Sequence, residues 1–356
     1  MAGTISLFTA RALTATVNAI FPADNFLTKK FFGRNVPSSS KYVDIVITKG
    51  GKQIAPFVSP KLAGKVLKKN GKKLETYEPP LQKPVFQTDA EELLENNSVM
   101  YSIAKTPEER AAEELANELD DGRARIDRRT EWMSASALVD GKISVVGDGV
   151  EDEIDYSRNP SHTKVLTGTA LWTDTVNSDP RADLEKWKTE VFDNSGVSPT
   201  EVVFGRDVGN AYSNHPKVKE AFDKKWINRG ELKPERLEEG VTYLGYDSEL
   251  DLKMYKYVGK FEHPETKADT PYLPYDKLIM GSEYTRTDAH VAFGGIADFK
   301  AFKKEGMNVN LFIGEIFAKS YEVEDPSARF VVLQSKPLPI PGNVDSSLSA
   351  KVVWYD

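Results

Sequence analysis

TPEERAAEELANELDDGRARIDRRTEWMSASALVDG, residues 106–141, is the stretch on which the fold turns. Thr106, Pro107, Glu108 and Glu109 make a helix start, with a capping hydroxyl and proline at the first helical position. The helical pattern then runs to Val139, and Gly141 stands where a C-terminal cap is expected. Leu115, Leu119, Gly122, Ile126 and Met133 form one narrow apolar stripe. Glutamates fill the first turns and arginines the later ones, as the helix dipole favours, and Asp121 with Arg125 adds an i, i+4 pair. At about 1.5 Å per residue this is a rod of roughly 50 Å, well beyond the usual globular helix. A rod that is apolar along one side predicts a structural spine with a solvent edge.

Upstream, Leu13, Val17, Ile20 and Phe21 keep helical spacing until Pro22, so residues 1–21 read as a short amphipathic helix. Residues 22–40 carry two prolines, a glycine and three serines, which predicts an extended connector. Its Phe26, Leu27, Phe31 and Phe32 need a cover, and another chain is a candidate. Arg11, Lys29, Lys30 and Arg34 against Asp24 make residues 1–40 a modestly basic arm. KYVDIVIT, 41–48, reads as a strand. In VLKKNGKKLETY, 66–77, Asn70-Gly71 signals a tight hairpin, because a type I′ turn needs positive φ at both central positions. Lys68, Lys69, Lys72 and Lys73 surround that tip, either as a solvated end that deters edge pairing or as a contact for an acidic surface. Pro79, Pro80 and Pro84 form a stiff strip, after which Thr88-x-x-Glu91 reads as a capping box opening a helix.

Downstream, KISVVGDGVEDEIDYS, 142–157, predicts a strand, a tight Gly-Asp-Gly turn and a second strand. NPSHTKVLTGTALWTDTVNSDP, 159–180, reads as a linker. Beyond it helix and strand alternate: helices at 181–196 and 214–226, a buried strand at 201–205, and strands at 241–246, 250–259 and 277–281. FVVLQSKPLPIP, 330–341, and AKVVW, 350–354, supply late strands expected to return to the first region. The class is α+β in at least two regions, as 356 residues allow.

Composition is ordinary for a globular protein, and a net charge of −7 lacks the positive balance of a dedicated nucleic-acid binder. The absence of cysteine excludes disulfides, thiolate metal sites and cysteine nucleophiles. No run of 18 apolar residues suggests a membrane span, and Arg11 breaks any secretory leader, so the cytoplasm is the default address. His162, His215, His263 and His290 lack metal-ligand spacing, and the acidic cluster Asp148, Glu151, Asp152, Glu153 and Asp155 lacks that of a calcium loop. Gly205-x-Asp207-x-Gly209 lies between a strand and a helix, the setting of a phosphate-binding turn, but a plain β-to-α turn fits it better. Ser38-x-x-Lys41 matches a serine acyl-enzyme motif without its companion elements. No catalytic, metal-binding or cofactor-binding residue is assigned, and no cofactor is expected. A sticky arm, a lysine-tipped hairpin and a long spine describe a building block.

In order, FLTKKFFGRNVP, APFVSPKLAGKVLKKNGKKLETYEPPLQKP, ASALVDGKISVVGDGVEDEIDYSRN, FDNSGVSPTEVVFGRDV, HPKVKEAFD and DPSARFVVLQSKPLPIP resemble the lambda-type major capsid proteins of tailed phages, the phage major capsid protein E family with the Hong Kong 97 capsid fold. The resemblance implies an N-terminal arm over 1–40 and an extended β-hairpin loop over 41–87. It implies a peripheral domain with the spine helix over 88–174, an axial α/β domain over 175–320, and C-terminal strands, 321–356, returning to the peripheral domain. It implies a shell of pentamers and hexamers around double-stranded DNA, held non-specifically, with separate scaffold, portal and decoration proteins. Expected inter-subunit contacts are Phe31, Phe32, Arg34, Lys68, Lys69, Asn70, Gly71, Lys72 and Lys73. Some members of the wider fold crosslink lysine to asparagine. Lambda-type relatives use decoration proteins instead, and no matching asparagine or glutamate is assigned here. A nanocompartment shell of the same fold and an α/β enzyme built around 202–230 are the alternatives.

Overall fold

The computed structural model describes residues 8–21, 25–48, 72–89, 107–223, 230–231, 235–238, 240–299, 311–325 and 327–354. Helix α1 is Ala10–Ala19, started by Thr9, whose hydroxyl accepts the Ala12 amide at 3.3 Å. It is shorter than expected: Ile20 turns extended and Phe21, assigned to the apolar face, is 93% exposed. The expected extended connector instead contains helix α2, Phe26–Phe32. The apolar residues at 26, 27, 31 and 32 are a helical face, and all four side chains are buried.

The spine is α3, Pro107–Asp140. Gly141 closes it at φ +71 and returns its amide to the Ala137 carbonyl. Leu115, Leu119, Ile126 and Met133 are buried as their spacing requires, and Gly122 lets Leu333 and Phe86 approach the helix axis. Next, Lys142–Gly147 and Val150–Asp155 pair antiparallel around a turn with Gly149 at φ +74.

The second region is organised by an eight-stranded sheet. Its path runs Glu235–Glu238, Val241–Asp247, Leu252–Tyr257, Glu201–Phe204, Lys277–Gly281, Leu348–Lys351, Thr163–Val165, with Gly230–Glu231 pairing onto the second of these. Glu201–Phe204 is buried on both faces. Val202 and Phe204 enter one core with helix α4, Pro180–Ser195, and α5, Arg206–Asn214, while Val203 enters another beneath the end of α3. Two expectations fail here. Residues 159–180 are no linker: Thr163–Val165 is an edge strand of the sheet. Trp172, fully buried, stacks on Trp187 at 6.1 Å and donates to Asp183 at 2.9 Å. The last strand, Leu348–Lys351, pairs with no strand of the first region but inserts between Lys277–Gly281 and Thr163–Val165.

Of the other late strands, Pro337–Ile340 pairs with His290–Phe293, and Ala328–Gln334 does return. Ala328–Gln334 pairs with Val85–Asp89 and with Phe317–Val323. This three-stranded sheet covers the first half of α3, and α1 packs on both through Leu13 and Val17. Thr88, read as a helix cap, lies inside the Val85–Asp89 strand opposite Arg329, with its hydroxyl bonded to Glu118. Glu91 lies outside the described residues.

Candidate functional site

Phe26, Leu27, Phe31 and Phe32 join a core with Met133, Leu138 and Val139 of α3 and with Val291, Phe293 and Leu338. Their cover is their own chain. Phe31 and Phe32, expected at a subunit contact, are 3% and 1% exposed and serve as anchors of the arm. Another chain, the candidate cover, is not needed to bury these four residues.

The polar counterpart of that anchor is Glu131, fully buried on α3. Its Oε1 accepts the Leu27 amide at 2.8 Å and the Tyr257 hydroxyl at 3.1 Å. Its Oε2 accepts the Thr28 amide at 2.9 Å and the Thr28 hydroxyl at 2.7 Å. A carboxylate therefore takes the free amides at the start of α2, where the helix leaves donors unsatisfied and its dipole favours negative charge. Burial pushes the Glu131 carboxyl above its usual range, and the four donors offset this only in part. One turn on, Lys30 reaches Glu201 at 3.2 Å and the Tyr255 hydroxyl at 3.0 Å. Burial pulls against the Lys30 charge, but the Tyr255 and Glu201 contacts outweigh it and hold the ammonium above its ordinary value. Glu283 and Lys253 complete the cluster at 3.5 Å separations.

A second polar junction joins α3 to the large sheet. The Arg158 guanidinium donates to the Leu138 carbonyl at 2.5 Å, the Val139 carbonyl at 2.7 Å, the Thr163 hydroxyl at 2.8 Å and the Ser349 hydroxyl at 3.2 Å. A cation thus sits on the terminal carbonyls of a 34-residue helix, at the negative end of its dipole. Burial lowers the Arg158 pKa to about 10, so it stays charged at neutral pH.

Arg34 is exposed and pairs with Asp288 at 2.9 Å. Lys68, Lys69, Asn70 and Gly71 lie outside the described residues. Lys72 and Lys73 open the strand Lys72–Tyr77, whose register sets them opposite Thr48 and Ile47 of Val43–Thr48. The ladder pairs with no other strand among the described residues, and its root is fixed by Val43 and Ile45 in the core.

The motifs that suggested chemistry are occupied by structure. At Gly205-x-Asp207-x-Gly209 the amides of Asp207 and Val208 both donate to the Tyr275 carbonyl, at 3.1 and 3.2 Å, and that of Gly205 to Lys277 at 2.9 Å. Those donors are already used, so they do not form a phosphate cradle. A Cβ on Gly205 would stand 2.3 Å from the Pro274 carbonyl oxygen. Gly205→Ala must shift backbone in a filled core and is expected to cost about 3 kcal/mol, read as a lower denaturant midpoint at unchanged slope. The Ser38 hydroxyl accepts the Ser40 amide at 3.1 Å and Lys41 pairs with Glu78 at 2.8 Å, so the two do not act together. His162 is buried between the Ser347 carbonyl and Asn194, and His215 beside Ser178.

Sequence reasoning missed Glu131, Arg158 and the Lys30–Glu201 pair. One signal was available for Glu131. It is the sole charged residue in TEWMSASALV, 130–139, a stretch buried nearly all round. A lone acid in such a stretch needs donors. Arg158 and Lys30 carry no comparable local mark, since their partners lie up to 191 and 253 residues away, respectively.

A family model described as phage major capsid protein E matches residues 9–352. The major capsid protein of Escherichia phage N15 is 24% identical over 364 residues, covering 98% of this chain and 100% of that protein. That of Escherichia phage lambda is 23% identical over 356 residues, with the same coverage. Among solved structures, the putative capsid protein of an E. coli CFT073 prophage superposes with a TM-score of 0.70 at 19% identity, covering 97% of this chain and 99% of that one. The α+β architecture is thus the Hong Kong 97-type phage capsid fold. Matched along nearly its whole length, the chain belongs to the phage major capsid protein E family.

Proposed function

We propose that this major capsid protein assembles as pentamers and hexamers into the icosahedral head shell of a tailed phage, enclosing double-stranded DNA. The observation that carries the reading is the family match over residues 9–352. Two structural features support it. The Val43–Thr48 and Lys72–Tyr77 ladder is paired with no other described strand. A groove of about 820 Å³ between the Pro80–Pro84 strip, Trp132 of α3 and the 144–150 hairpin exposes Leu81, Val146 and Val150. On this reading residues 1–40 are the arm and 41–87 the extended loop. The peripheral domain is 88–174, the axial domain 175–320, and 321–356 are the C-terminal strands returning to the peripheral domain. Arg34, Lys68, Lys69, Asn70, Gly71, Lys72 and Lys73 carry contacts to neighbouring subunits. The protein assembles in the host cytoplasm and resides in the virion, with separate scaffold, portal and decoration proteins.

A capsid family is a structural family, and the named relatives are phage capsid proteins. This favours the phage shell over a nanocompartment. Sedimentation of the purified protein tests the capsomer step: discrete species at about five- and sixfold the 39.7 kDa chain mass are expected. A single species of one chain mass at every concentration contradicts it.

A further inference from the structure

Midway along α3 the molecule opens a groove of about 580 Å³ whose walls carry Arg125, Arg128 and Arg129 of the helix and Lys260 and Lys267 of the adjoining hairpin. Two of these cations are neutralised in place, Arg125 by Asp121 at 2.8 Å and Lys267 by Glu262 at 3.4 Å. Among the described residues Arg128, Arg129 and Lys260 form no ion pair. Arg129 is held against the Trp132 ring, 5.1 Å from its centroid, and desolvation by its surroundings lowers its pKa. Three uncompensated cations in one groove, on a chain of net charge −7, mark a place built for an external anion.

We propose that this groove receives the phosphodiester backbone of the enclosed duplex. The inference rests on the shell reading above and gives its DNA contact an address. Arg128 and Arg129 of the helix and Lys260 of the hairpin line one groove, so a single phosphodiester backbone lying in it meets all three. Planar guanidinium groups suit phosphate oxygens, which they bind in pairs. No base-reading element is involved, so binding is independent of sequence.

The test is binding of duplexes of two unrelated sequences to the full chain over a salt series, with poly-glutamate as a second probe. Wild type and the triple variant Arg128→Gln, Arg129→Gln, Lys260→Gln are compared. The double variant Arg128→Gln, Lys260→Gln keeps the Trp132 stack and serves if the triple variant misfolds. Each lost phosphate contact lowers the slope of log K against log salt by about 0.9. The triple variant should lose about 2 to 3 from the slope, the double about 2, equally for both sequences. An unchanged slope, or no duplex binding by wild type, overturns the proposal. Loss of poly-glutamate binding with duplex binding intact also overturns it, in favour of an acidic protein partner. Microscopy of the same samples separates the two claims: shells with an unchanged slope sink the groove and leave the shell standing, and a slope change without shells does the reverse.

Discussion

Glu131→Ala should detach helix α2 from the spine, destabilising the arm by about 3 kcal/mol. The substitution removes the acceptor of the Leu27 and Thr28 amides and of the Thr28 and Tyr257 hydroxyls. Each buried donor left without a partner costs about 1–3 kcal/mol, partly offset by no longer burying a charge. At seven residues, α2 cannot sustain itself once its first turn is unsatisfied. Chymotrypsin reads the result directly, since Phe26, Phe31 and Phe32 are buried in wild type and become cleavable when the arm lifts. Glu131→Gln keeps the shape but sets an amide donor against donors, so partial release is expected. Its penalty should depend on pH. A carboxyl whose folded pKa is raised contributes stability that is fully present below its unfolded value, about 4.3, and is lost as pH rises through the folded value. Glutamine does not titrate, so the gap between wild type and Glu131→Gln should be widest near pH 4 and narrow toward pH 8. A gap that widens with pH contradicts the burial argument.

Arg158→Ala should cost a similar amount, about 3 kcal/mol, at a different seam. It strips the Leu138 carbonyl of a charged donor and leaves Val139 with only the Ser349 hydroxyl, at 2.6 Å. It also cuts the link from α3 to the Thr163 and Ser349 hydroxyls on neighbouring strands of the large sheet. Hydrogen bonds from a charged donor are worth about 1.5–3 kcal/mol each, less the cost of desolvating the guanidinium. Arg158→Lys should recover little, because one ammonium cannot span four acceptors set for a planar fork. Hydrogen exchange of amides 133–139 is the specific readout. Faster exchange there, with Leu13 and Val17 unaffected, locates the damage at the helix end. Uniform loss of protection would show that the junction has no local role.

The parts of the fold legible in the sequence were those with local causes. The 106–141 stripe announced α3 because its period, proline start and glycine stop agree, and the Gly-Asp-Gly turn announced the 142–155 hairpin for the same reason. Pairings with distant partners were not legible. Leu348–Lys351 enters the large sheet because Lys277–Gly281 and Thr163–Val165 leave a gap there, and nothing in its residues names those neighbours. The arm was misread for a physical reason: prolines and serines at 22–40 outweighed the seven-residue periodicity of FLTKKFF, which only tertiary burial stabilises as a helix. Its phenylalanines then looked orphaned, although the seat that covers them lies mostly more than 100 residues downstream. The basic groove was partly visible, since the arginines of the later spine turns were read from the sequence, but Lys260 joins them only in space.

The most direct test of the account is negative-stain microscopy of the purified full-length protein over a range of concentrations, alone and with the products of neighbouring genes. Rings of five and six subunits, tubes or closed shells, increasing with concentration as association requires, are the expected result. Isolated single chains in every sample, with no ring, tube or shell at any concentration or with any partner, would contradict it.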